Sequence, residues 1–344
     1  MSPTSYQLLH PAISNNSLKP KRTYFFYSVW GVQIYTNFVS AIQIIFFILE
    51  NNHKAGFVNI IGNPNAGKST LMNALLGEKL SIVTPKAQTT RHRIMGILNG
   101  DDYQIVYSDT PGVLDPKYKL HEGMMKTVGT ALIDADLIML VVDASDKAPL
   151  HKATLEKIQK TEVPVFVVLN KFDLVGNDGS NAVFEVYKEL LPNARIFPVS
   201  ALEKIYVKEL LAEIIAILPA SPPYFPKDEL SDRTQRFFVA EIVREKIFMN
   251  YDREIPYSCE VMVEEYIDEP EIARIRVLII TERESQKRIL IGHQGGSLKR
   301  VGTQARKDME SFVGKKVFLQ MFVKVDENWR NDLGRLKSFG YWES

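Results

Sequence analysis

The sequence has little cysteine and, before Glu50, no acidic residue. Its single cysteine, Cys259, cannot form an internal disulfide, which excludes a disulfide-stapled secreted domain and fits a reducing compartment such as the cytoplasm. The net charge of +1 excludes a strong overall attraction to nucleic acids. No internal repeat or low-complexity tract is evident. A chain of 344 residues, 45% hydrophobic and 24% charged, is ordinary for a globular protein of two domains.

The N-terminal extension, residues 1–54, differs from the rest of the chain. Residues 23–49 form an uncharged run that is long enough to cross a bilayer. Polar amides interrupt this run, and the basic residues before it would direct the following domain out of the cytoplasm, so both features oppose a spanning helix. Three interpretations stay open: a segment included by a misplaced start, an organelle-targeting segment that leads to an organelle matrix, and a membrane anchor or peripheral membrane contact.

A phosphate-binding loop is indicated by GNPNAGKST, which matches the pattern G-x-x-x-x-G-K-[ST]. The strand-like FVNIIG precedes it and the helix-like STLMNALLG follows it, which is the setting this loop requires. Backbone N–H groups then wrap the phosphates, Lys68 reaches the outer ones, and the Ser69 hydroxyl binds Mg²⁺. The predicted nucleotide-binding residues of this loop are Gly62, Asn63, Pro64, Asn65, Ala66, Gly67, Lys68, Ser69 and Thr70.

A second motif, DTPG at residues 109–112, ends the strand-like YQIVYSD. Asp109 is placed to hold Mg²⁺ through water, and the Gly112 N–H can meet the γ-phosphate. The polar stretch 84–93, here called the switch segment, contains Thr89 and Thr90, and one of these, with Thr90 preferred, is expected to close over the metal. The predicted metal ligands are Ser69, Thr90 and Asp109, and the motif adds Thr110, Pro111, Gly112 and Val113 to the nucleotide site.

Guanine specificity is indicated by NKFD at residues 170–173 and SAL at residues 200–202. The Asp173 carboxylate can accept from the ring N–H and the exocyclic amine of guanine, which adenine does not present. Bound ATP would leave that carboxylate unpaired. Backbone N–H groups of the second motif can meet the guanine oxygen. The predicted residues are Asn170, Lys171, Asp173, Ser200, Ala201 and Leu202.

The order of elements predicts an α/β domain with a mostly parallel sheet flanked by helices over residues 55–218. Four prolines then indicate a linker at 219–226. Residues 227–332 have the element order α-β-β-α-α-β, which indicates a second, α+β domain, and 333–344 is left as a C-terminal tail. From Arg283 to Lys316 nine basic residues face three acidic ones.

KAQTTRHRI, DTPGV and IGHQGGSLKRVGTQARKDME resemble the Era family of ribosome-assembly GTPases, over residues 55–332. The resemblance implies a P-loop GTPase domain followed by a type II KH domain that binds small-subunit ribosomal RNA and assists small ribosomal subunit maturation. The G-x-x-G sequence between two helices lets a nucleic-acid backbone come close. The predicted RNA-binding residues are Lys287, Arg288, Gly292, His293, Gln294, Gly295, Lys299 and Arg300. GTP and GDP are the expected ligands, and we expect a monomer.

Val113 stands where other GTPases use a glutamine to orient the attacking water, so intrinsic hydrolysis should be slow. Lys68, Thr90 and Gly112 remain as catalytic residues. Similarity to related GTPases implies a K⁺ ion held partly by Asn65, the alternative being that Asn65 only stabilises the loop.

Two other functions stay open from the sequence. A small-molecule kinase or ATPase could use the same phosphate loop, although Asp173 argues against it. An RNA-binding scaffold whose nucleotide only stabilises the fold is compatible with Val113, because that residue predicts poor turnover.

Overall fold

The structure, a computed structural model, describes residues 53–146 and 150–342. The N-terminal extension, with its three interpretations, therefore lies outside the described residues except for His53 and Lys54. Within the described ranges, no helix combines the length and the apolar composition that crossing a bilayer requires.

The first domain is a six-stranded sheet with helices on both faces. The sheet order is β2-β3-β1-β4-β5-β6, and only β2 is antiparallel to its neighbour. Its elements are β1 Lys54–Gly62, α1 Lys68–Leu76, β2 Ile94–Asn99, β3 Tyr103–Asp109, α2 Lys119–Ala131, β4 Leu137–Asp143, α3 Lys152–Gln159, β5 Val165–Asn170, α4 Phe172–Leu190, β6 Arg195–Pro198 and α5 Val207–Ile217.

The central strands of this sheet are apolar along their whole length because both faces are covered. β4, for example, is buried at six of its seven positions. One apolar cluster lies beneath α1 and α5, and the other beneath α3 and α4. Parallel strands end at one edge of the sheet, so the polar motifs that follow β1, β3 and β5 meet there.

The proline-rich connection packs along the first domain. The Gln104 side chain accepts from the backbone N–H groups of Tyr224 and Phe225 at 2.7 and 2.9 Å, and donates to the Phe225 carbonyl at 2.7 Å. Ser221 N donates to the His53 carbonyl at 3.0 Å. The region that composition predicts as a linker is therefore fixed by hydrogen bonds at the amino ends of β1 and β3.

The second domain has a three-stranded sheet in the order β7-β8-β9, with β7 and β8 antiparallel and β8 and β9 parallel. Two long helices cover one face of this sheet. Apart from the additional short helix α7, the elements follow the predicted order α-β-β-α-α-β. They are α6 Gln235–Asn250, α7 Ile255–Ser258, β7 Glu260–Asp268, β8 Ile272–Thr281, α8 Glu284–Ile291, a 3-10 turn His293–Gly295, α9 Gly296–Val313 and β9 Lys316–Val325.

The C-terminal segment from Trp329 onward, of which residues 333–344 are assigned as a tail from the sequence, is packed against both domains. A 3-10 turn Trp329–Asn331 and helix α10 Leu333–Ser338 place Trp329 and Leu336 in an apolar cluster with Leu120 and Met124 of α2. Trp329 is fully buried and its Nε1 donates to the Ser258 carbonyl at 3.1 Å. This tryptophan therefore caps the fold.

Candidate nucleotide site and RNA-binding surface

The phosphate-binding loop connects β1 to α1 in a tight turn. Gly67 has a φ of 90°, and a Cβ there would lie 2.1 Å from Asn170 Nδ2. A Cβ on Gly62 would lie 2.2 Å from the Val141 carbonyl oxygen. Both positions therefore require glycine. The N-terminus of α1, with its free N–H groups, faces the cavity as an anion site needs.

Lys68 lies across the mouth of this loop. Its Nζ donates to the carbonyl oxygens of Gly62 and Asn63 at 3.1 and 2.9 Å. Burial lowers the pKa of Lys68 to about 8, and the nearby Asp109 only partly offsets that effect. Phosphate oxygens would supply the missing negative charge, so the side chain is suited to bind them.

The three predicted metal ligands converge at the carboxyl end of β3. Ser69 Oγ donates to Asp109 Oδ2 at 2.6 Å and lies 2.8 Å from Thr90 Oγ1, which is 3.3 Å from the same carboxylate oxygen. Thr89 points elsewhere and bonds Thr84 and the Lys86 carbonyl. Of the two threonines, the structure brings Thr90 to the aspartate.

Asp109 provides a test of whether this cluster suits a cation. Its Oδ1 atom is buried and forms no hydrogen bond of normal geometry with a described residue, and the nearby Ser81 hydroxyl interacts with the same carboxylate and helps to lower its pKa. Burial raises the pKa of Asp109, whereas the Ser69 bond and the Lys68 ammonium lower it. A buried carboxylate oxygen beside two hydroxyls is a donor set suited to Mg²⁺ and its bound waters.

Asn170 joins the two guanine motifs to the phosphate loop. Its Nδ2 donates to the Ala66 carbonyl at 2.9 Å, and its Oδ1 accepts from the Ala201 N–H at 3.0 Å. Asp173, by contrast, is exposed, and Leu202 is 74% exposed. The Asp173 carboxylate is therefore open to a base, and any burial of it would come from the base itself. Lys171 is bonded to Asp143 at 2.5 Å.

The DTPG motif packs against the phosphate loop. Thr110 Oγ1 donates to the Ile60 carbonyl at 2.7 Å, and a Cβ on Gly112 would lie 2.8 Å from Pro64 Cα. Val113 N donates to the Gly62 carbonyl at 3.1 Å, while its side chain is buried in the apolar cluster beneath α3 and α4. Val113 therefore offers no polar group to water.

A cavity of about 400 Å³ is lined by the phosphate loop, the switch segment, Gly112 and Lys171, whereas Asp173 and residues 200–202 lie outside its lining. Gln88 lines it with a φ of 58°, and its Oε1 lies 3.1 Å from Nε2 of the buried His121. Lys117 N donates to Nδ1 of that histidine. Burial lowers the pKa of His121 to about 4, so the ring is neutral and donates to Gln88. Sequence reasoning missed this link, because Gln88 and His121 lie in different segments.

Arg91 of the switch segment binds the second domain. Its Nη1 donates to the Cys259 carbonyl at 2.7 Å, and its Nη2 donates to the carbonyls of Pro256 and Tyr257 at 3.0 and 3.2 Å. Burial would lower the pKa of Arg91, but the phenol of Tyr341 and the carboxylate of Glu260 outweigh it and hold the pKa raised. The guanidinium is therefore a fixed charge next to Thr90.

Lys86 makes a second contact from the same segment. Its Nζ donates to the Phe248 and Tyr251 carbonyls at 2.7 and 2.5 Å, and to Asp252 Oδ1 at 2.7 Å. These carbonyls belong to the end of α6. The sequence contains no signal for either contact, since neither Lys86 nor Arg91 lies in a motif that points to the second domain.

The G-x-x-G loop at residues 292–295 connects α8 to α9. Gly292, Gln294 and Gly295 have φ values of 71°, 48° and 77°. A Cβ on Gly292 would lie 2.3 Å from Ser297 Oγ, so only glycine fits there. His293 and Gln294 are exposed at the tip, next to the N-terminus of α9, where a phosphate is favoured.

Basic side chains surround this loop. Arg288, Lys299 and Arg300 are exposed, and within the described part of the chain none of them forms an ion pair. Lys287 lies 3.9 Å from Glu284. Uncompensated cations beside a bare backbone loop are what a sugar-phosphate chain requires.

Two family models match the chain. One, described as 50S ribosome-binding GTPase, matches residues 57–171, and the other, described as KH domain, matches residues 254–330. The matches agree with the two observed domains, so the predicted fold class, a P-loop GTPase domain followed by a KH domain, is confirmed.

Curated proteins and solved structures are similar over most of the chain. GTPase Era of Alkaliphilus metalliredigens (strain QYMF) is 42% identical over 293 residues, which cover 84% of this chain and 99% of that protein. A GTPase ERA-like, chloroplastic protein of Arabidopsis thaliana is 45% identical over 299 residues, which cover 85% of this chain and 70% of that protein.

A crystal structure of Era in complex with MgGDPNP and nucleotides 1506–1542 of 16S ribosomal RNA superposes with a TM-score of 0.80 at 38% identity, covering 84% of this chain and 99% of that one. A single-residue variant of Aquifex aeolicus Era bound to GDP.AlF4⁻ gives a TM-score of 0.79 at 37% identity, with the same coverage.

Proposed function

The chain belongs to the Era family of GTPases, and on that premise we propose that it uses GTP to control how its KH domain binds small-subunit ribosomal RNA during small-subunit maturation. The family assigns GTP hydrolysis to the first domain. The partner RNA is inferred from the Era complex with 16S ribosomal RNA. The small ribosomal subunit is the assembly that carries this RNA.

One observation carries the coupling between nucleotide and RNA. Thr90 lies at Ser69 and Asp109, where the terminal phosphate and its metal would bind, while its neighbours in the switch segment bind the KH domain. Arg91 donates hydrogen bonds to four acceptors of the second domain, and Lys86 donates to three. A movement of Thr90 when the third phosphate binds or is lost would therefore displace Lys86 and Arg91, which contact the RNA-binding domain directly.

Each residue of the GTPase site has a proposed role. Lys68 and the N–H groups of the phosphate loop bind the β- and γ-phosphates, and Asp173 selects guanine. Ser69, Thr90 and Asp109 would hold Mg²⁺, which supplies positive charge that neutralises the phosphates. Gly112 senses the γ-phosphate through its N–H.

Slow hydrolysis is expected because Val113 cannot orient water, and K⁺ with Asn65 is proposed as a compensating charge. Asn65 is exposed and lines the cavity, which supports this role, although its φ of 62° also suits a residue that shapes the turn. Turnover of the full chain is measured in K⁺ and in Na⁺, with Asn65→Ala as the comparison. Faster turnover in K⁺ that this substitution abolishes supports the ion, and equal rates remove it from the mechanism.

The RNA-binding surface is proposed to consist of the G-x-x-G loop and its basic flanks. Gly292 and Gly295 admit the backbone, His293 and Gln294 lie at the tip, and the cations attract phosphates. Those cations are Lys287, Arg288, Lys299 and Arg300.

The central test compares RNA affinity in two nucleotide states. The full chain is titrated with a fluorescent RNA that carries the 3′ end of small-subunit ribosomal RNA, once with a non-hydrolysable GTP analogue and once with GDP. Different affinities are expected, together with faster phosphate release in the presence of RNA. Equal affinities would argue for a scaffold whose nucleotide only stabilises the fold.

An organelle is the proposed location, because two relatives at 45% identity are described as chloroplastic. Residues 1–54 fused to a fluorescent protein should then be sufficient for import. Cytoplasmic or membrane-bound fluorescence would favour the alternatives. Light scattering tests the expectation of a monomer.

A further inference from the structure

The last turn of α6, with Tyr251 directly after it, lies between the switch segment and the two helices that flank the G-x-x-G loop, and is bonded to all three. We propose that Tyr251 is a positioning residue for RNA binding, through which the switch segment sets the placement of the G-x-x-G loop. The proposal rests on the function proposed above and specifies the residue that couples its two sites.

The first link is the cap that Lys86 places on α6. The final carbonyls of a helix lack helical partners, and a cation there also interacts favourably with the helix dipole. Lys86 supplies both, since its ammonium binds the Phe248 and Tyr251 carbonyls. Its side chain is 24% exposed, whereas its acidic partner Asp252 is 86% exposed, so the carbonyl contacts are the better shielded part.

The second link is made by the Tyr251 hydroxyl. It donates to the Leu290 carbonyl at 2.6 Å, in a hydrogen bond between buried groups. Leu290 belongs to the last turn of α8, two residues before Gly292. The carbonyl of a final helical turn needs an outside donor, and Tyr251 provides it. One residue thus binds the switch segment through its backbone and the end of α8, the helix that leads into the G-x-x-G loop, through its side chain.

The surroundings of Tyr251 make this link rigid. The ring is 7% exposed and belongs to the apolar cluster that contains Leu290 and Val301. Burial raises the pKa of Tyr251 to about 12, with the nearby guanidinium of Arg300 acting in the opposite direction. The hydroxyl therefore keeps its proton, and it lies near a cation of the proposed RNA-binding surface.

The same turn is also bonded to the helix on the other side of the loop. Asn250 Nδ2 donates to Gln304 Oε1 of α9 at 2.6 Å. The end of α6 therefore contacts both helices that flank the G-x-x-G loop. A movement of the switch segment that withdraws Lys86 would remove the cap from this turn. The turn could then move together with α8 and α9, the helices that hold the G-x-x-G loop, because local changes are transmitted between packed elements.

The test removes the hydroxyl alone, in the full chain. Tyr251→Phe keeps the ring and removes only the bond to Leu290. The RNA carrying the 3′ end of small-subunit ribosomal RNA is titrated in the GTP-analogue and GDP states, and the ratio of the two dissociation constants is compared with the unmodified protein. A change in that ratio of about three- to tenfold toward one is expected, since a buried hydrogen bond is worth that much. GDP affinity should stay unchanged.

Tyr257→Phe is the matched control. Tyr257 lies at the same domain boundary, and its hydroxyl has no hydrogen bond to any described residue. This variant should keep the unmodified ratio. A Tyr251→Phe protein that also kept the unmodified ratio would overturn the inference and leave the proposed function intact. A ratio of one in the unmodified protein would overturn both.

A second variant tests the other link. Lys86→Met removes the cap while it keeps most of the side chain's length. If both links belong to one route, the double variant with Tyr251→Phe shifts the ratio no further than the larger single effect. Shifts that multiply would show two independent routes and overturn the inference.

Discussion

The Arg91 guanidinium and the Glu260 carboxylate form an ion pair across the boundary between the GTPase and KH domains, with 3.3 Å between Nη1 and Oε2. Both side chains are almost fully buried, at 3% and 7% exposed. The Tyr341 hydroxyl donates to the same carboxylate at 2.7 Å, and the Tyr341 ring stacks on His92 at 4.2 Å. The residue after the switch threonine is therefore held by a buried polar network of the other domain.

Removing the arginine should be costly. Arg91→Ala leaves Glu260 buried without its cation, and we expect the free energy of unfolding to fall by about 3–5 kcal/mol. Urea denaturation measures the change. The control is Arg274→Ala. The side chains of Arg274 and its partner Glu269 are 49% and 43% exposed, and such exposed pairs contribute about 1 kcal/mol or less to the free energy of unfolding. Equal effects of the two substitutions would contradict the importance of the buried pair.

The base specificity should depend on Asp173. Asp173→Asn replaces an acceptor of two N–H groups by an amide, so GDP affinity should fall by about 10⁴-fold and preference should move toward xanthine nucleotides. Competition between GDP and XDP for the purified variant measures this. Asp115→Asn, at a carboxylate that is 84% exposed, pairs with His151 and belongs to neither guanine motif, should bind GDP normally. An unmodified protein indifferent to the base would refute the assignment.

Nucleotide binding should take up protons in alkaline solution. The pKa of Lys68 in the free protein is about 8, below its usual 10.5, because of burial. Bound phosphates favour the charged form and raise that pKa, so above pH 8 the complex holds more protons than the free protein and affinity falls as pH rises. Calorimetry in buffers of different ionisation heat detects the uptake. About two pH units below the pKa of Lys68, its ammonium is charged in both the free and the bound protein, so the proton uptake should vanish. Binding heats that are the same in all buffers at both pH values would disprove the lowered pKa of Lys68.

The basic flanks of the G-x-x-G loop should determine the salt dependence of RNA binding. Each phosphate that the protein no longer neutralises reduces the slope of log affinity against log salt by about 0.7 for single strands. Lys299→Ala and Arg300→Ala should each show this decrease. Lys157→Ala removes one exposed charge from helix α3 of the GTPase domain and should leave the slope unchanged. Equal slopes for all three variants would place the RNA elsewhere.

The C-terminal segment should contribute to stability. Leu336 is fully buried against α2, so Leu336→Ala is expected to cost about 2–5 kcal/mol of unfolding free energy. Leu333 on the same helix is 42% exposed, and Leu333→Ala should change stability by about 0.5 kcal/mol or less. Thermal or urea denaturation of both variants distinguishes a packed helix from a free tail.

Sequence reasoning predicted best where a motif dictates its own backbone. The phosphate loop needs glycine at Gly62 and Gly67 because neighbouring atoms leave no room for a Cβ. The glycine spacing in the sequence therefore predicts the shape of the loop directly. The same holds for Gly292 in the G-x-x-G loop. The order of strands and helices followed from apolar periodicity, and the family models confirm the fold class, a P-loop GTPase domain followed by a KH domain.

Contacts between distant segments could not be predicted in this way. Arg91 and the carbonyl of Cys259 are 168 residues apart, and any exposed basic residue in a polar stretch looks like Arg91 in a sequence. The last helix was also missed. LGRLKS, at six residues with two cations, carries too short a pattern to indicate that Leu336 is buried. Prolines indicated a linker, but composition does not reveal that Gln104 binds the backbone of this linker.

Lys86 completes a helix that belongs to another domain, and this limits how the two modules can be recombined. A chimaera that received a foreign RNA-binding module would leave the lysine without the carbonyls of Phe248 and Tyr251, and the native module moved elsewhere would lose its cap. A chimaera should therefore fold and function only when the residues around Lys86 are transferred together with α6.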